Sequence, residues 1–161
     1  LLELTPVLGG VWSTSPVDES FTLNDPWTSH GHTVIDLGDD LFTRGRPHPM
    51  IDHGLRNERI VKEAGDPSTA VVLLDVVLGH GADMDPANVM LPAIAEAREL
   101  ARSGNRRIDF VASVCGTGRD PQNLDRQEAA LRDAGVRLAP SNVQAARLAA
   151  KVLAETAGGG S

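Results

Sequence analysis

With 161 residues, 41% hydrophobic and 23% charged, the chain has the composition of one globular domain large enough to bury a core without metal or disulfide staples. A net charge of -7, bases scattered apart from Arg44/Arg46 and Arg106/Arg107, and only 3% aromatic residues exclude nucleic acid as the main partner. The single cysteine, Cys115, rules out an internal disulfide and points to a reducing, cytoplasmic setting. No apolar run approaches the roughly 20 residues that cross a bilayer, so a membrane is not an expected partner.

Residues 1–32 mix Pro6, Pro16 and Pro26 with Gly9, Gly10 and many hydroxyls and hold no sustained period of 2 or 3.6, which reads as an irregular arm. Its apolar residues, with Trp12 and Trp27 the expected anchors, are too numerous for a free tail, so the arm should lie along a surface, its own or a partner's. Regular patterning then runs over 33–155, with 156–161 a flexible tail. TVIDL (33–37) reads as a strand, followed by a helix over about 52–64. TAVVLLDVVLG (69–79) is a nearly continuous β-branched run, the pattern of a central strand covered on both faces. Asp85-Pro86 then opens a helix to about Arg102, with Met90, Ile94, Ala97 and Ala101 on one buried stripe and Glu96, Arg98 and Glu99 facing away.

The same unit recurs. RIDFVASV (107–114) is a strand, a glycine loop follows, and Asp120-Pro121 is placed to open a helix through about Ala134. VRLA (136–139) is a last short strand, and Ser141 with Gln144 forms a capping box for a final helix whose Val143, Ala146, Ala150 and Leu153 share a face. Strand and helix alternate with short connections, which predicts an α/β fold with a mostly parallel open sheet and helices on both sides. Loops 38–49, 79–85 and 115–120 should then share one edge, the place where α/β sheets bind ligands.

The chemistry of the chain is concentrated in those loops. GDDLFTRGRPHP is a stiff, charged loop in which Asp39, Arg44, Arg46 and His48 could meet a ligand; the competing reading is a solvated loop whose arginines pair with its own aspartates. CGTGRDP sets the amides of Gly116 and Gly118 with Thr117 and Arg119 against an expected helix start, which suits an anion, although glycine turns of this kind also serve packing. His80, after Gly79, is an acid-base candidate beside His48. No HxH, HExxH or CxxC spacing joins these loops, so no metal is expected. Asp75, inside an apolar strand, needs donors, for which Arg44, Arg46 or the 79–81 amides are candidates.

Three segments, HTVIDLGDDLFTRGRPHPMID, LLDVVLGHGADMDP and VASVCGTGRDPQNLDRQEAALRDAGV, resemble the FdrA family, acyl-CoA synthetase-like proteins related to the α subunit of succinyl-CoA synthetase. The resemblance implies a CoA-ligase-type, flavodoxin-like three-layer domain, without the family's separate CoA-binding half. It implies further protein subunits or that missing half as partners, an oligomeric assembly, and CoA or a phosphorylated ligand as the cofactor class. One group of the family is a subunit of oxamate carbamoyltransferase in purine catabolism, which implies acyl or carbamoyl transfer on a phosphate- or carboxylate-bearing ligand. The ligase's phosphohistidine insert is missing, because VCGTGRDPQ contains no histidine, so a phosphohistidine is not expected. The alternative function is a non-catalytic assembly subunit using the same loops and the arm for docking.

Overall fold

The computed structural model describes residues 1–158. In chain order the elements are α1 (Thr5–Leu8), β1 (Trp12–Ser13), a 3-10 turn (Glu19–Phe21), β2 (Thr33–Val34), α2 (Asp40–Thr43), α3 (Gly54–Gly65), β3 (Val71–Val77), α4 (Pro86–Ser103), β4 (Asp109–Cys115), α5 (Leu124–Asp133), β5 (Arg137–Ala139) and α6 (Asn142–Gly158). The expected α/β architecture with parallel strands in open sheets is present, as a flavodoxin-like three-layer arrangement.

The main sheet runs β3-β4-β5, all parallel, and β1 and β2 form a separate parallel pair. Two expectations change here. The apolar run at 71–77 is an edge strand, and β4 is the central one. TVIDL contributes only Thr33–Val34, because the Asp36 carboxylate accepts the Gly38 N–H at 2.8 Å and turns the chain out of the strand.

Alanine builds much of the core. On one face of the sheet, α4 brings Met90, Ile94, Ala97 and Ala101, all buried, against Phe110, Ala112 and Val76 and against Ile60 and Ala64 of α3. Small side chains let these helices approach closely, which is how a chain with so few aromatic residues fills its interior. Arg98 departs from the expected outward face, since its stem and guanidinium lie over the Phe110 ring, 5.3 Å from the centroid. On the other face α6 packs Ala145, Ala149 and Val152 on Val111 and Ala139. These three widen the stripe read from the sequence, whose Ala146 and Ala150 are covered by Leu4 and Val11 of the arm, while its Val143 is exposed. The expected Ser141 cap is formed, with Ser141 Oγ accepting Gln144 N–H at 3.3 Å. Helix α6 extends to Gly158, into the segment expected as tail, and residues 159–161 of that expectation lie outside the described residues.

The arm folds back on its own chain and includes short regular pieces. Arg59 on α3 donates to Pro26 O and to Ser29 Oγ, each at 2.8 Å, and Lys62 donates to Trp27 O. Trp12 packs edge-on against Phe21 and His30, and Trp27 against Phe42. The deepest anchors are aliphatic, Leu4, Val11 and Leu23, while Trp27 is 43% exposed.

Candidate functional site at the carboxyl edge of the sheet

The loops leaving β2, β3 and β4 meet at one edge, and the hydrogen bonds that join them are specific. Asp83 N–H donates to Met50 O at 2.7 Å, which ties the segment after α2 to the loop after β3. Gln122, buried in the loop after β4, accepts Gly79 N–H at 3.1 Å and donates to Gly79 O at 2.8 Å and Asp83 O at 3.0 Å. Gln127 extends the seam by accepting Ala87 N–H at 2.9 Å and donating to Asp85 at 3.0 Å. Both glutamines are fully buried with their amides paired, as buried polar groups must be. They sit in a polar stretch whose residue types carry no signal of burial, and sequence reading passed over them.

The glycine loop after β4 differs from the expected anion cradle. Helix α5 begins at Leu124 with Asn123 as its cap, so Asp120-Pro121 does not open it. Asp120 instead turns back, and its carboxylate accepts Thr117 N–H at 2.6 Å and Thr117 Oγ1–H at 3.2 Å. Thr117 Oγ1 accepts Arg119 N–H at 3.2 Å. The loop's own carboxylate therefore takes one amide of the turn, that of Thr117, and not those of Gly116 and Gly118. Gly116 lies against Leu78, where a Cβ would come within 2.8 Å of the side chain, so packing accounts for this glycine. Gly118 faces open space. The Gly79 amide is taken by Gln122.

Asp39 caps α2, its Oδ1 accepting Leu41 N–H at 2.9 Å. His48 is exposed, accepts Met50 N–H on Nδ1 at 3.2 Å, and lies so close to Gly38 that a Cβ there would be 2.7 Å from Nε2. His80 is exposed between Gly79 and Gly81, both at positive φ. Asp85 is the residue before α4, yet its carboxylate makes no cap bond and accepts instead from Asn88, Gln127 and Arg126. Burial raises its pKa, and these three donors outweigh that and hold it below the ordinary carboxylate value.

Arginine pairing separates structural from available charge. Among the described residues, ten of the thirteen arginines and Lys62 donate to a carboxylate or a backbone carbonyl, for example Arg126 to Asp85 and Arg106 to Ala64 O, and Lys151 pairs with Glu155 at 4.0 Å. The three without any partner are Arg44, Arg46 and Arg119, all exposed and all on loops of this edge. Asp75 meets none of its expected partners. Arg56 of α3 takes that role, 3.6 Å from the carboxylate and donating to Asp75 O at 2.8 Å.

His53, which the sequence reading did not single out, sits at the start of α3 and is 3% exposed, with neither ring nitrogen hydrogen-bonded. Burial lowers its pKa, the Arg56 charge adds to this, and Asp83 and Asp52 oppose it, so the ring is neutral at pH 7. A cavity of about 290 Å³ lies within the arm between Trp12, Leu23 and His30, and one of about 90 Å³ lies between Trp27, Leu37 and Arg59. Neither borders the unpaired arginines. Among the described residues no helix is long and apolar enough to cross a membrane.

The family model for CoA-ligase matches residues 10–152. The chain is 43% identical over 141 residues to the uncharacterized protein YahF of Escherichia coli (strain K12), a match covering 88% of this chain. It spans 27% of that relative's length.

Proposed function

The chain belongs to the CoA-ligase family, and from that premise we propose that it is an FdrA-like domain of an acyl-CoA ligase or carbamoyl-transfer assembly, holding a phosphate- or carboxylate-bearing ligand at the carboxyl edge of its sheet. The observation that carries this is the pairing of its cations. A chain with a net charge of -7 has acidic partners in excess, yet Arg44, Arg46 and Arg119 on loops of one edge are left without one among the described residues. Guanidinium forks bind oxyanions in two-point fashion and need no reorganisation if they are not already paired. His48, with Nδ1 held by Met50 N–H, and His80 are the proton-transfer candidates, and no phosphohistidine is involved.

CoA is the group that the family implies. Its phosphates suit the three arginines, but neither described cavity adjoins them, so these residues fit a phosphate and do not by themselves fit a whole CoA molecule. The remaining wall of such a site belongs to another subunit or to the part of the polypeptide that the longer relative carries. The exposed thiol of Cys115 accords with a cytoplasmic setting.

Titration calorimetry with inorganic phosphate and with CoA tests the reading. Arg46→Ala and Arg119→Ala should each abolish binding with the melting temperature unchanged, and unaltered binding in both variants would remove the proposal. A second reading, an assembly subunit that docks through this edge, is favoured by Ile51 and Met84, which are 55% and 58% exposed beside the Met50–Asp83 junction. On that reading the same variants lose a protein partner and not an anion.

A further inference from the structure

We propose that the outer edge of β3 is a docking slot for one more parallel strand, supplied by polypeptide outside this chain, of the kind that the longer relative carries. The inference stands on backbone geometry and does not depend on the anion site. In a parallel ladder the N–H and C=O of one residue point to the same side, and successive residues alternate. Ala70 O accepts Asp109 N–H and Leu78 N–H donates to Cys115 O, so the even-numbered residues of β3 face β4. Val71, Leu73, Asp75 and Val77 therefore turn their peptide groups outward. Among the described residues no strand pairs with them, and one outward group alone has a partner, the Asp75 carbonyl held by Arg56.

The side chains agree with an incomplete edge. Val72 and Leu74 pack toward α4, and Val71 and Leu73 toward α6, with Leu73 also against the arm's Leu4 and Val11 cluster, yet all four are only half-buried. A row of unpaired peptide groups on an apolar strand is a template for strand addition. The one charged side chain on it, Asp75, is drawn aside by Arg56.

The occupant follows from length and direction. The chain spans 27% of the relative's length, so a polypeptide of that kind has ample sequence to supply the strand. Every strand pair in the molecule is parallel, and a parallel strand would keep its carboxyl end at the loop cluster. A second copy fits less well. Two-fold antiparallel pairing centred on β3 would bring both Asp75 carboxylates close to the axis.

Amide hydrogen exchange by NMR tests this, on the chain alone and on the chain co-expressed with Escherichia coli YahF lacking its matched segment. Alone, the Leu73 and Val77 amides should exchange roughly ten-fold or more faster than those of Val72, Leu74 and Val76, since unpaired groups lack protection. In a one-to-one complex they should slow to match. Asp75→Pro removes an N–H that has no partner from a half-exposed residue, and should leave the fold of the isolated chain intact while abolishing the complex. Should that variant not fold, the exchange comparison on the unaltered chain decides alone. Slow Leu73 and Val77 amides in the isolated chain, no complex, or a complex that leaves them unprotected would each overturn the proposal. Protection that rises with concentration of the chain alone would assign the edge to a second copy and overturn it equally.

Discussion

β3 and β4 are seven-residue strands paired residue for residue from Val71 with Asp109 to Val77 with Cys115, and β3 is the more apolar in sequence. Yet β4 buries Phe110, Val111, Ala112 and Ser113, while β3 buries only Val76. Position in the sheet decides this. β4 has a strand on either side and can afford a serine in its middle, since Ser113 Oγ donates to Asn142 Oδ1 at 2.7 Å. β3 has six apolar side chains and one neighbour. Hydropathy measures what a strand can bury, and burial measures what has arrived to cover it.

The largest expected effect separates the two strands by stability. Phe110→Ala should cost about 3–5 kcal/mol, because a fully buried ring leaves a cavity under α4 and takes the Arg98 contact with it. Val72→Ala, on the same face of β3, should cost about 1 kcal/mol, since a half-buried side chain has less to lose. Urea denaturation of both variants measures the contrast. Equal losses would mean that β3 is as well covered as β4 and that its open edge is unimportant.

The polar seams repeat the contrast. On the β4 side, Gln127 has its amide fully paired, with Ala87 N–H, Asp85 and Gln122 O. Gln127→Leu strands a buried N–H and takes a donor from Asp85, so it should lower stability by about 1–3 kcal/mol. It should also raise the Asp85 pKa, which a carboxyl NMR titration reads directly. On α3, by contrast, both His53 nitrogens and Asn57 Oδ1 are buried without a partner and have no such bond to lose.

Fold and site differed in how far they could be read from sequence. The α4 stripe, the Asp85-Pro86 start and the Ser141 cap are local patterns that tertiary contacts reinforce, so periodicity found them. Strand order is not local. VVLLDVV reads as central because nothing in it says that its second neighbour lies elsewhere. The arginines of loops 38–49 and 115–120 have no partner among the described residues, while Asp120, expected to open α5, lies four residues before it and accepts the Thr117 amide instead. A carboxylate that caps backward onto Thr117 and one that caps forward onto a helix look alike in sequence. His53 and Gln122 gave no signal at all, because burial of a single polar residue depends on which loops meet over it.

The smallest effect concerns His53, whose imidazole is buried at the start of α3 with neither nitrogen bonded. Burial first, then the Arg56 charge, lowers its pKa in the folded chain. Unfolded, it titrates near about 6.5. Above that pH both states hold a neutral ring and the group contributes no pH dependence. As pH falls below it, the unfolded chain binds a proton that the folded chain refuses, so stability drops with falling pH through this group. His53→Phe removes the titration and two unpartnered nitrogens, so near neutral pH it should be neutral or slightly stabilising. The urea midpoint of the parent should fall more steeply between pH 7 and 5 than that of the variant, by the slope of one proton at most. A ligand that supplies His53 with a hydrogen-bond acceptor should narrow the gap, because an accepted N–H favours the protonated ring. Identical slopes in the isolated parent and variant would mean that the ring already exchanges protons freely in the folded chain, and the start of α3 would then be open to water and not merely short of a partner.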